Sequence, residues 1–267
     1  MTLATAKEAG IFTSLRAIFM NDTPALLPRL FLVDNLNPKA FVTLNSTQSH
    51  YLTRVLRCRE GDKVRLFNGR DGEWLATLTA GPKNTVTLQL LEQSRGQDKA
   101  GDLWVCPALL KKGPFDFLVM KATELGASVI QPLLTSRTQV RQANTARLLT
   151  IAIEAAEQSE RLTIPDIRAP LLLEDLLANW DAQRLALLCA EFGNATPIAT
   201  ALQTQTQKPA TILTGPEGGW TEQEIKQIRA LPEVLPLRLG RRILRAETAA
   251  LSCIALWQAL CGDWTRS

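Results

Sequence analysis

The chain has 267 residues, 46% of them hydrophobic, with 30 lysines and arginines against 26 aspartates and glutamates, a formal net charge of +4. That length accommodates one or two domains, and that apolar content builds an ordinary core without disulfide or metal staples. The positive balance suits a polyanionic partner, and no apolar run is long enough for a membrane span.

Residues 1–26 are weakly amphipathic through Ile11, Phe12, Leu15, Phe19 and Met20, but Glu8, Asp22 and the scarcity of basic residues argue against a targeting peptide. They are expected to form a flexible extension. Residues 27–97 read as a small β-barrel domain. A short helix is predicted over Thr47–Leu56, followed by strands at Lys63–Phe67, Glu73–Leu78 and Thr85–Leu91, separated by the turns NGRDG and GPKN. Arg54, Arg57, Arg59, Lys63, Arg65 and Arg70 outnumber Glu60, Asp62 and Asp71 here. A solvated rim accounts for that excess as well as a nucleic acid does. A polar linker, Ser94–Gly101, ends the domain.

From residue 101 to 267 apolar runs alternate with helical ones. Strands are predicted at Leu103–Leu110, Val129–Leu134, Leu185–Ala190, Ala210–Leu213 and Val234–Leu239. Helices are predicted at Pro114–Leu125, which Gly126 stops, then at Asn144–Arg161, Glu174–Trp180, Thr221–Ala230 and Glu247–Leu260. Such alternation predicts an α/β domain, a parallel sheet covered on both faces. The five cysteines form no C-x-x-C pair, which points to reduced thiols and a cytoplasmic protein; a single histidine, His50, argues against a zinc site.

Two strings carry chemistry. Leu213–Glu224 reads LTGPEGGWTEQE, with Gly215, Gly218 and Gly219 in five positions between an apolar run and a helix whose Thr221 and Glu224 have capping-box spacing. Leu239–Ala250 reads LGRRILRAETAA, and Arg238, Arg241, Arg242 and Arg245 fall within eight residues. Neither string fits the dinucleotide fingerprint or the phosphate-binding P-loop. The residues alone reach as far as a small-molecule site beside a cationic loop.

Together, GPEGG-x-[ST]-x-x-E and LG-x-R-[IV]-LR-x-ETA resemble the signature of the RsmE family, SPOUT-class, AdoMet-dependent methyltransferases that modify uridine N3 in small-subunit (16S) ribosomal RNA. Other segments are similar to the family too: Lys112-Gly113 with Asp116-Phe117, Lys121 and Glu124-Leu125-Gly126; Ile130, Pro132 and Arg137; the run Glu154–Ile167; and, nearer the start, Pro28-Arg29-Leu30-Phe31, His50, Val55-Leu56-Arg57, Gly61-Asp62 and Leu66-Phe67. Trp220 and Ala246 depart from the usual residues at their positions.

The resemblance implies a PUA-like RNA-binding barrel ahead of a SPOUT domain with a carboxyl-terminal trefoil knot. It implies S-adenosyl-L-methionine held by Glu191, Leu213, Gly215, Gly218, Gly219, Leu239, Gly240, Ile243 and Leu244, with the glycines leaving space that a Cβ would take from the ligand. Arg241, Arg245 and Glu217 are the expected catalytic residues, with Arg242 beside them. RNA is expected on Arg29, His50, Arg54, Arg57, Lys63 and Arg65 of the barrel and on Lys112, Lys121, Arg137 and Arg161 of the second domain. A homodimer acting on the small ribosomal subunit follows from the same likeness, the small-residue face Ile151, Ala152, Ala155 and Ala156 being compatible with its interface. The rival readings are a SPOUT enzyme acting on transfer RNA or another base, and an inactive RNA-binding protein of this fold.

Overall fold

The computed structural model describes residues 27–82, 85–190, 195–206 and 208–265; the expected extension over residues 1–26 lies outside them. The chain divides into two compact units between Asp98 and Lys99. Ser94 and Arg95, expected in the linker, instead end a strand.

The first unit is a five-stranded sheet with spatial order β1-β3-β4-β5-β2, formed by β1 (Arg29–Phe31), β2 (Phe41–Thr43), β3 (Lys63–Phe67), β4 (Glu73–Ala80) and β5 (Val86–Arg95). Sequence pattern finds the three longer strands and misses β1 and β2, which are three residues each and too short to show a period. β3, β4 and β5 pair antiparallel, whereas β1 joins β3 in parallel. Alternate residues of these strands, among them Leu66, Trp74, Ala76, Leu78, Leu88 and Leu90, meet in one core that Leu52 closes. The expected helix over 47–56 is a short α-helix, α1 (Ser46–His50), running into a π-helical turn at Tyr51–Val55.

The second unit is a seven-stranded parallel sheet of order β12-β14-β11-β13-β6-β7-β9, from β6 (Leu103–Pro107), β7 (Val129–Ile130), β9 (Asp166–Ile167), β11 (Leu185–Cys189), β12 (Thr196–Pro197), β13 (Ala210–Thr214) and β14 (Val234–Arg238). The expected strand 129–134 breaks at Pro132, which has no N–H to give a ladder. Its second half, β8 (Leu133–Leu134), pairs instead with β10 (Leu171–Leu172).

Five helices of this unit, α2 (Lys112–Glu124), α3 (Thr145–Gln158), α4 (Leu173–Ala178), α6 (Glu222–Arg229) and α7 (Ala246–Leu260), together with the short α5 (Ile198–Leu202), cover the sheet. Strand residues alternate between two cores, as a sheet buried on both faces requires. Leu185, Leu187, Ala210 and Ile212 pack with Phe115, Leu118, Leu148, Ile254 and Trp257. Ala186, Leu188 and Leu213 pack on the other side with Leu173, Leu176 and Ile228. Ala152, Ala155 and Ala156 of the small-residue face are buried within the chain itself, where α3 packs on α2.

At the amino ends of the strands Arg184 ties three of them together. Its guanidinium donates to Asp102 at 2.7 and 2.8 Å and to the Ala210 carbonyl at 3.1 Å. That leaves the carboxyl ends to open into loops. After β14 the chain returns, as α7, to pack against α2, β13 and β6. Among the described residues no helix is long and apolar enough to cross a membrane. Cys106, Cys189, Cys253 and Cys261 are buried and Cys58 half-buried, all as free thiols; burial pushes the Cys106 thiol up to about 12.

Candidate active site

Beyond the carboxyl ends of β11, β13 and β14 lies a cavity of about 720 Å³. This is the end of a parallel sheet at which ligands bind, and the volume is within the roughly 300–1,000 Å³ of small-molecule sites. Its walls are the turn Gly215–Trp220 and the loop Leu239–Arg245, with Cys189 and Ala190, Thr214, Leu237 and Arg238 at the strand ends. Pro114 and Ala249 reach it from helices.

The turn is held from three sides. Within it, the Gly219 N–H donates to the Pro216 carbonyl at 2.8 Å, and Gly219 takes φ +69°, where a side chain is strained. The Trp220 indole folds back on the strand ends, Nε1 donating to the Cys189 carbonyl at 3.3 Å. From outside, Arg137 Nη1 donates to the Gly218 carbonyl at 2.8 Å and reaches that of Trp220 at 3.4 Å.

Behind the turn, Thr221 caps α6 as its spacing predicts: Glu224 N–H donates to Thr221 Oγ1 at 3.2 Å and Thr221 N–H to Glu224 Oε2 at 2.8 Å. The other carboxylate oxygen, Oε1, accepts from the Ser136 N–H at 2.8 Å. Burial raises the Glu224 pKa, but these hydrogen bonds to the ionised form more than offset it and hold the carboxyl below its usual value. Residues 136 and 137 thus grip the turn and the helix that follows it.

The second wall is more open. Gly240 turns the chain at φ +110°. Arg241, Arg242, Ile243 and Arg245 stand exposed, Ile243 by 81%. Among the described residues no ion pair engages the Arg241, Arg242 or Arg245 guanidinium, so the mouth of the cavity is cationic. Arg245 is the residue before α7, and Glu247 lies in that helix's first turn.

The structure therefore gathers Gly215, Glu217, Gly218, Gly219, Leu239, Gly240, Arg241, Ile243, Leu244 and Arg245 around one cavity. Leu213 stands apart: it is fully buried inside β13, and the strand's next residue, Thr214, reaches the cavity in its stead. Glu191 lies outside the described residues. Two of the glycines have a further reason within the protein itself. A Cβ on Gly215 would sit 3.1 Å from Trp220 Nε1, and one on Gly218 would rest 3.4 Å from carbons of Arg137. Those neighbours are protein atoms, and Trp220 in particular is a wall residue that sequence reading treats only as an apolar anchor.

Of the expected RNA contacts, two need correcting. Arg29 is buried, its Nε donating to Glu73 at 2.6 Å and its guanidinium stacked 3.9 Å from the Phe67 ring centre. Arg65 is buried against the same carboxylate at 3.7 Å. Neither can reach a phosphate without abandoning Glu73 inside a low-dielectric core. Lys121 is held by Glu124 at 2.8 Å, and Arg161 donates to the Thr123 carbonyl near the end of α2. Arg137, expected on RNA, clamps the glycine turn. His50, Arg54, Arg57 and Lys112 are exposed and Lys63 half-buried.

Fold and cavity put the chain in a class, the RNA methyltransferases: the RNA methyltransferase domain family matches residues 97–258 and the RNA methyltransferase PUA domain matches residues 44–91. Ribosomal RNA small subunit methyltransferase E of Synechocystis sp. is 40% identical over 83% of this chain and 74% of its own length. The enzyme of the same name from Rickettsia conorii is 35% identical over 85% of this chain and 93% of its own. The crystal structure of that enzyme from Neisseria gonorrhoeae, bound to S-adenosyl methionine, superposes with a TM-score of 0.81 at 30% identity, covering 89% of this chain and 99% of that one. The chain belongs to the ribosomal RNA small subunit methyltransferase E family.

Proposed function

We propose that the cavity holds S-adenosyl-L-methionine and that the protein methylates N3 of one uridine in 16S ribosomal RNA. The observation that carries this reading is the meeting of two separate strings, the glycine turn and the arginine loop, around a single cavity. The cavity fits the cofactor. Gly215, Leu239, Ile243 and Leu244 line it, and their backbone groups would take the hydrogen bonds of an adenine, while Leu237, Pro114 and Ala249 would supply apolar contact. When bound, the cofactor supplies an activated methyl group on a sulfonium, so the protein's work is position and electrostatics.

Uracil N3 carries a proton at neutral pH and is a poor nucleophile until it is lost. Arg241, Arg242 and Arg245, which no ion pair among the described residues engages, stabilise the negative charge that spreads onto O2 and O4 and grip the neighbouring phosphates. Arginine stays protonated and cannot take the N3 proton. Among the described residues two carboxylates line the cavity, Glu217 and Glu247. Glu247 answers the dipole of α7 from its first turn, which leaves Glu217 as the acid assigned to the proton.

Residues 27–97 act as the RNA-holding domain and 101–267 as the methyltransferase, with the return of the chain into α7 completing the family's trefoil knot. The working form is a cytoplasmic homodimer on the small ribosomal subunit. The test is methyl transfer from labelled S-adenosyl-L-methionine to small subunits lacking the modification, read by nucleoside mass spectrometry. N3-methyluridine on the subunit supports the reading. Label on transfer RNA alone overturns the substrate.

A further inference from the structure

Residues 50–59 of the first unit contain a histidine, three arginines and no carboxylate. Their backbone is unusual twice over. Tyr51–Val55 is a π-helical turn, closed by the Leu56 N–H donating to the Tyr51 carbonyl at 2.9 Å. Single π turns concentrate at functional sites. The turn ends with Arg57 at φ +60°, a left-handed conformation that helix ends ordinarily give to glycine. Cys58 N–H then bonds to the Leu52 carbonyl at 2.9 Å.

The side chains are as uneven as the backbone. Leu52 is fully buried and anchors the segment in the core. Around it Tyr51 is 40%, Val55 58% and Leu56 38% exposed, and His50, Arg54, Arg57 and Arg59 are all exposed. Asp62 accepts from the Arg59 backbone N–H at 2.7 Å, so the nearest paired acid serves the loop. Stability favours none of this: it would bury the apolar groups and place glycine at residue 57.

We propose that this segment binds a single-stranded stretch of RNA, with Tyr51 stacked on an unpaired base, Val55 and Leu56 flanking it, and Arg54 and Arg57 on adjacent phosphates. The inference rests on RNA being the substrate and adds which form of RNA is held and by which side chains. Charge complementarity selects a polyanion. The choice between duplex and single strand follows from the apolar groups. A duplex offers phosphates but keeps the faces of its bases stacked, so exposed aromatic and aliphatic side chains gain nothing from it; an unstacked base presents the face they fit.

The test uses the full chain with a labelled single-stranded oligonucleotide and a hairpin duplex of the same composition, measuring affinity across a salt series beside S-adenosyl-L-methionine binding. The single strand is expected to bind more tightly. Tyr51→Ala should weaken it about tenfold with an unchanged salt slope, Tyr51→Phe should retain it, and neither should alter cofactor affinity. Arg57→Gly separates function from folding: it relieves the left-handed strain, so Tm holds or rises, while affinity falls and the salt slope drops by about 0.7. Duplex bound as tightly as single strand, or Tyr51→Ala binding like the parent chain, overturns the inference and leaves the RNA reading standing. A parent chain that takes the cofactor but no RNA overturns both.

Discussion

Arg137 donates to the carbonyl of Gly218 at 2.8 Å across 81 residues of sequence, and this contact sets the outer edge of the cavity's glycine turn. A turn with three glycines has little stiffness of its own, so an external clamp determines how often it is in the binding conformation. The guanidinium is exposed, which limits its net contribution to about 1 kcal/mol. Arg137→Ala should therefore weaken S-adenosyl-L-methionine binding about fivefold with little change in Tm. Isothermal titration measures it, and unchanged affinity would remove Arg137 from the site.

Trp220 and Gly215 make a second such pair. An alanine methyl at residue 215 would sit 3.1 to 3.3 Å from three indole atoms, and Trp220 cannot yield without losing its bond to Cys189. Gly215→Ala should cost about 1–2 kcal/mol of stability and shift the tryptophan emission. Gly218→Ala, whose methyl meets only the flexible Arg137 side chain at 3.4 Å, should be much milder. Equal effects from the two substitutions would remove the Trp220 contact as the reason for glycine at residue 215.

This difference marks where sequence reading stops. The strands LALLC and ATILT are legible because both faces are buried and the runs are short and largely apolar, only Thr211 and Thr214 of ATILT being polar. The capping box is legible because it depends on a spacing of three. The fate of Arg29 and Arg65 is not, since Glu73 lies 44 and 8 positions away and nothing local distinguishes a buried arginine from one on a rim. Arg137 is singled out by sequence but its contact with the glycine turn is not, because its partners there are backbone carbonyls and carry no side-chain signal. β1, β2 and β12 have two or three residues each and owe their existence to neighbouring strands.

Glu224 makes a prediction about acid. Its folded-state pKa is depressed, so its contribution to stability is complete above the unfolded value of 4.5 and is lost as pH falls through the lower folded value. Glu224→Gln should lower Tm at pH 7 and flatten the dependence of Tm on pH below about 4.5. Parallel acid profiles for the two proteins would remove the Ser136–Glu224–Thr221 arrangement as a source of acid sensitivity.

Arg245 is where cofactor binding and chemistry should separate. It stands exposed at the mouth, before the first turn of α7, and makes no side-chain cap for that helix. Truncation therefore removes charge without breaking a side-chain bond to the described residues. If the guanidinium stabilises charge that grows on the uracil oxygens only as N3 becomes nucleophilic, its loss acts on the transition state rather than on the bound cofactor. Arg245→Ala should lower single-turnover methyl transfer about 100-fold, the size of effect seen when one such donor is lost, while cofactor affinity changes less than threefold. Raising the RNA concentration should not restore the rate. Recovery at saturating RNA would mean that Arg245 grips phosphate and that stabilisation of the reacting base falls to Arg241 and Arg242.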